Sequence, residues 1–208
     1  LDASGPAFSP AEDDLIFFAF VQVPGGSRYP VYRVGADGSS LVELSPPGAS
    51  VGNAQWSPDG SMIAYSTCCS EVGAADEIHV VNEDGSDDRV LVTDSDSGNR
   101  ESSLSLFPFS PEGTTIAFED YAYNEDNFRP IYNRISTVDL AGSVAIHSTD
   151  PDVFFQQWSA DGSRFVACEF SNEGIEGALS FALGQATGVD LLPVCDLDWD
   201  RRDNPYGP

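Results

Sequence analysis

At 208 residues the chain is long enough for one sizeable hydrophobic core or two small ones. Thirty-four Asp and Glu stand against nine Arg and no Lys, a formal net charge of −25. That charge repels nucleic-acid phosphate and anionic lipid, which excludes DNA, RNA and membrane-surface partners and favours cations, basic partners or plain solubility in salty surroundings.

The chain opens LDASGPAFSP, with neither a basic start nor an apolar core, so no signal-peptide pattern is present. A leader is expected to have been removed, or the sequence to begin inside a longer protein. FSPAEDDLIFF at 8–18 follows, and its apolar continuation LIFFAFV at 15–21 is too short to cross a bilayer. A hairpin is predicted next in YPVYRVGADGSSLVEL at 29–44.

A second unit then begins with a short strand ending at Trp56 and an SPDG turn. Pro58 presets φ for the turn and Gly60 supplies the left-handed conformation that closes it. SMIAYST at 61–67, EIHVV at 77–81 and RVLVT at 89–93 read as three further strands, with NEDGS at 82–86 as a turn. FSPEGTTIAFED from Phe109 and WSADGSRFVACE from Trp158 restate the opening phrase. RISTVDLAGSVAIHS at 134–148 and LSFALGQATGVDLLPV at 179–194 restate the second hairpin more weakly. No window shows a helical period with caps.

The aromatic anchors Phe8, Trp56, Phe109, Trp158 and Trp199 are 48, 53, 49 and 41 residues apart. Four short antiparallel strands per unit of about 40–50 residues is the signature of a propeller blade. A sandwich also has evenly spaced short strands but does not require the same aromatic-Ser-Pro-Asp-Gly phrase at every fourth one. The expected fold is therefore all-β, a β-propeller of four-stranded antiparallel blades. It is expected as one domain over 1–208, with units at about 5–45, 53–94, 105–148 and 154–194 and the start of a fifth at 195–208.

WSPDGSMIAYST with DEIHVVNEDGSDDRVLVTD resembles the repeat of TolB-like propellers, relatives of the WD-repeat proteins. The likeness is strongest over 54–93, good over 107–119 and 156–168, and weakest in the first unit, where the turn Gly is replaced. Such propellers usually have six or more blades, so the chain is expected as a four-bladed ring, as a piece of a larger propeller, or as a part completed by another copy. The resemblance also implies that the strand ending at the aromatic is innermost. Loops joining second to third strands, and fourth to next first strands, then share one face. The insertions at 21–29, 68–76 and 120–133 all fall there, and length variation on one face marks a binding surface.

DYAYNEDNFRPIYN at 120–133 is the leading candidate. Tyr121, Tyr123, Phe128, Arg129 and Tyr132 are interface-anchoring residue types, set among acids that include Asp126. Asp94 and Asp96 followed by Gly98 and Asn99 place oxygens that can converge on Ca²⁺, although the full EF-hand loop pattern is absent and Asp-Ser-Gly is first of all the composition of a plain turn. Under the blade model Cys168 and Cys195 share the loop-rich face, and a disulfide between them is expected; Cys68 and Cys69 form a vicinal pair or bond elsewhere. An even cysteine count in a loop-rich domain points to an oxidising compartment, periplasmic or extracellular.

A catalytic set is missing. His79 and His147 fall in strands of different units, and no G-x-S-x-G elbow occurs. The expectation is a non-catalytic protein-interaction propeller without a cofactor. A propeller accompanying a prolyl-oligopeptidase-like hydrolase domain, and a Ca²⁺- or glycan-binding surface domain, are the alternatives.

Overall fold

A computed structural model describes residues 2–68, 75–94, 102–123, 130–171, 174–183, 185 and 188–191. Among them there is no helix, and the strands form four antiparallel sheets. The first sheet orders β1 (Asp2–Phe8), β2 (Asp14–Val23), β4 (Val31–Gly35) and β5 (Val42–Glu43), with β3 (Gly26–Arg28) paired to the far end of β2. The second runs β6 (Ser50–Trp56), β7 (Met62–Cys68), β8 (Glu77–Asn82) and β9 (Arg89–Thr93). The third runs β10 (Ser102–Phe109), β11 (Thr115–Tyr123), β12 (Pro130–Asp139) and β13 (Val144–Ser148). The fourth runs β14 (Val153–Trp158), β15 (Arg164–Ser171), β16 (Gly174–Ala182) and β17 (Val189–Leu191). Each sheet is a meander in sequence order, and the fold is a β-propeller whose blades are these sheets.

The repeated phrase builds the same corner in blades 2, 3 and 4. In blade 2 the buried Ser57 hydroxyl donates to Asp59 at 2.6 Å and accepts the Met62 N–H at 3.0 Å. Gly60 adopts φ +73° and donates to the Ser57 carbonyl at 2.9 Å. Ser159 with Asp161 and Gly162 repeats the arrangement in blade 4. Glycine is required for a second reason: a Cβ on Gly60 would meet the Ala11 Cβ of blade 1 at 2.7 Å, and one on Gly113 would meet Pro58 of blade 2 at 3.3 Å. The corners are stacked on one another around the arc.

Between the corners the blades pack face to face, and the core is a series of seams. Blade 1 contributes Ile16, Val31 and Leu44 to the first seam, against Ile63, Tyr65 and Val81 of blade 2. Ala64, Ile78 and Val80 meet Leu106, Phe109, Ile116 and Phe118 in the second. Ala117 and Ile135 meet Phe155, Phe165 and Phe181 in the third. Polar stitches join the inner strands across each seam. The Trp56 indole N–H donates to the Ala7 carbonyl at 3.1 Å, and Trp158 does the same to Pro108 at 2.7 Å. Asn53 donates to the Leu106 carbonyl at 2.9 Å, and Gln55 to that of Phe107.

The segment 21–29, expected as a loop, is a hairpin. Val21, Gln22 and Val23 pair with Arg28, Ser27 and Gly26 around a Pro24–Gly25 turn, with Gly25 at φ +97°. Pro followed by a left-handed Gly is the sequence of a type II turn, so the extension was encoded locally. The expected loop 120–133 is also shorter than read: β11 continues to Tyr123 and β12 begins at Pro130.

Candidate functional site

The strands of blades 2 and 3 carry the insertions to one face of the arc, where the seam between these blades is polar. Asp76 precedes β8 and Asp94 follows β9, and the Asp94 N–H donates to the Asp76 carbonyl at 2.8 Å, extending the β8–β9 ladder by one rung. From blade 3, Ser103 on β10 donates its hydroxyl to Asp76 at 2.9 Å. Asp120 on β11 lies opposite Arg134 on β12 and pairs with its guanidinium. Arg134 in turn lies over the Tyr132 ring, 4.7 Å from its centroid.

Alternation puts these groups on one face. Asp120 and Ala122 on β11 pair with Arg134 and Tyr132 on β12, so all four point towards blade 2. Asp94 and Asp120 are buried at 6% and 8% exposure, and Asp76 is half-buried. Burial pushes the Asp76 carboxyl above its usual range, the Asp94 charge adds to this, and the Ser103 hydrogen bond partly opposes it. Burial also raises Asp120, against the pull of Arg134 and with a further push from Asp94. The Tyr132 phenol is pushed up to about 12 by burial and the Asp120 charge. Asp76, Asp94 and Asp120 thus lie close enough to feel one another's charge in a poorly solvated seam, with Arg134 paired to Asp120, an arrangement that attracts positive charge.

Among the expected site residues, Asp94 and Tyr132 are brought into this cluster. Tyr121 is one residue out of phase with Asp120, so it leaves the opposite face of blade 3 towards blade 4, where it pairs with Asn133. Tyr123 ends β11. Asp126, Phe128, Arg129, Asp96, Asn99, Cys69 and Cys195 lie outside the described residues. No group of three or more His, Cys, Asp or Glu placed to hold a metal occurs among the described residues. Cys68 is half-buried at the end of β7, and Cys168 is buried in β15 at 1% exposure. Asp76, Ser103 and Arg134 were not singled out in the sequence. The alternation of β11 and β12 was available to find Arg134, but only the packing of blade 2 on blade 3 brings in Asp76 and Ser103.

The histidines occupy separate blades. His79 stacks on Tyr65 at 4.7 Å and lies 3.1 Å from Asp88 and 3.2 Å from Glu77. His147 is buried between blades 3 and 4, 2.9 Å from the Thr137 hydroxyl and 3.0 Å from the Gln185 carbonyl, and burial lowers its pKa.

No family model matches the sequence, and no curated protein matches it. Solved structures do. An oligogalacturonate lyase in complex with manganese aligns with a TM-score of 0.64 at 16% identity, covering 92% of this chain and 53% of that one. TolB from Acinetobacter baumannii aligns at 0.57 and 17% identity, covering 92% and 44%. The Pyrococcus horikoshii acylaminoacyl peptidase aligns at 0.65 and 10% identity, covering 92% and 32%. At these identities the likeness shows a common β-propeller fold. The chain spans about half the length of the lyase and of TolB. No helix among the described residues is long and apolar enough to cross a membrane.

Proposed function

We propose that this chain is a non-catalytic, extracytoplasmic protein-interaction propeller that binds a basic partner through the loop-rich face carrying residues 120–133. The observation that supports the reading is the run of neighbouring carboxylates Asp76, Asp94 and Asp120, with Arg134 paired to Asp120 and lying over Tyr132, at the end of the blades where the insertions emerge. Aromatic and charged groups together at a partly desolvated seam are the materials of an interface anchor. A net charge of −25 steers a basic partner there and makes the encounter sensitive to salt.

A photo-crosslinking residue at Tyr121 or Tyr132, compared with one at Asp84 in a turn at the other end of the blades, tests this. The reading expects a basic protein captured from the loop-rich end, with capture falling as salt rises and in Asp94→Asn. Equal capture from both ends, or none at the loop-rich end, overturns it. The compartment is tested by intact mass with and without reduction: a Cys168–Cys195 disulfide supports export, and four thiols refute it.

A second reading, a propeller accompanying a hydrolase domain, draws on the likeness to the acylaminoacyl peptidase, of which this chain covers 32%. A hydrolase domain encoded beyond Pro208 in the parent gene favours it.

A further inference from the structure

The seam between blades 1 and 2 carries a second feature on the same face of the arc. The β2–β3 hairpin stands beside the 45–50 connection, and between them lies a cavity of about 730 Å³, within the size range of small-molecule sites. Its wall includes Arg28 and Glu43, which form a two-pronged ion pair, the second contact at 3.1 Å. The Tyr32 hydroxyl donates to the same carboxylate at 3.0 Å, and the Arg28 bond holds Glu43 below the usual carboxylate range, so Glu43 is an ionised acceptor. Ser45 and Ser50 also line the cavity and are buried at 4% and 6% exposure. Each serine oxygen accepts a backbone N–H, from Val31 at 3.3 Å and from Tyr29 at 3.2 Å, which leaves its hydroxyl hydrogen to offer. Pro24 and Pro47 supply apolar surface on either side.

This chemistry selects a ligand by elimination. An anion gains little from Arg28, whose charge Glu43 already offsets, and it is repelled by a chain of net charge −25. A cation must compete with Arg28 for Glu43. A neutral ligand whose groups both donate and accept satisfies the whole wall. Its hydroxyls donate to Glu43 and accept from Arg28 and the two serines, while its apolar edges lie on the prolines. We propose that the cavity between the β2–β3 hairpin and residues 45–50 is a binding site for a neutral saccharide.

The site is separate from the acidic seam of blades 2 and 3, so the two readings fail independently. Calorimetric titration with neutral gluco-, manno-, galacto- and xylo-trisaccharides is the test, with trigalacturonate as the acidic comparator. Saturable binding of at least one neutral trisaccharide, with Kd on the order of 1 mM or tighter, is expected. Affinity should fall about tenfold or more in Glu43→Gln, which removes a charge-assisted acceptor, and equally in Pro47→Trp, which fills the cavity from an exposed position and keeps the test valid if Glu43→Gln misfolds. Tyr132→Ala should leave it unchanged. Absence of saturable binding, a preference for trigalacturonate, or binding indifferent to Pro47→Trp overturns the proposal.

Discussion

Blades 1 and 2 carry the same pattern in the same register and end in different surroundings. Phe8 pairs with Leu15 as Trp56 pairs with Ile63, and Val34 and Val81 are the corresponding third-strand residues. Phe17 stacks on Tyr32 at 5.6 Å where Tyr65 stacks on His79. In blade 2 the set Ile63, Tyr65 and Val81 is at most 1% exposed, because blade 1 lies on it. In blade 1 the matching Leu15, Phe17 and Val34 are only half-buried, and Phe8 is 69% exposed. The corner differs accordingly. Glu12 occupies the position of Gly60, Gly113 and Gly162, and no residue of that corner has positive φ. Glycine is kept in this chain where a neighbouring corner packs against it, and the first corner has no such neighbour among the described residues.

The strongest way to break this comparison is to truncate the paired positions. Ile63→Ala should cost about 3–4 kcal/mol in denaturant unfolding and Leu15→Ala about 1, since only the first leaves a sealed cavity. Equal losses would mean that blade 1 is covered after all.

A closed seam also has a titratable stitch. Glu119, 5% exposed between blades 3 and 4, accepts the Phe155 N–H at 2.7 Å, and burial pushes its carboxyl up to about 7. A carboxyl raised in the folded state contributes stability below its unfolded pKa and loses it as pH rises towards about 7. Glu119→Gln keeps an acceptor for Phe155 and removes the charge. It should stabilise by about 2–3 kcal/mol at pH 8 and change little at pH 4, a difference that unfolding curves at the two pH values would read. A gain that is the same at both would exclude burial of charge as its cause.

The smallest expected effect is at the anchors. Trp56→Phe removes the indole bond to Ala7 and should cost about 1 kcal/mol, whereas Phe8→Ser should fall within about 0.5 of zero. A loss above about 1 kcal/mol for Phe8→Ser would show that the first flank is packed in solution.

Most of the architecture could be read from alternation and turns. The strands of the second unit, 61–67, 77–81 and 89–93, appear within a residue or two as β7, β8 and β9. The recurring Ser-x-Asp-Gly corner is a local object, closed by hydrogen bonds within five residues, so its composition announces it. The extension of β2 into a hairpin departs from the loop expected of an insertion, and its local signal is Val21 and Val23 alternating up to a Pro-Gly turn. Only part of the candidate cluster is legible in the sequence, for a related reason. The aromatic segment 120–133 was visible as composition, but whether Tyr121 and Tyr132 act together depends on strand phase, and they leave opposite faces of one sheet.

By itself the sequence determined what repeats: the strand order within each blade, the corner chemistry and the acidic surface, all set by contacts between near neighbours in the chain or by composition. Tertiary structure alone decided which copy of each repeated group is buried and which polar groups meet. Asp76 reaches Ser103, and Glu119 reaches Phe155, only because whole blades stack at a fixed stagger. Equivalent residues such as Phe8 and Trp56 differ in exposure for the same reason, since the neighbour that covers a blade is a property of the arc and not of the repeat.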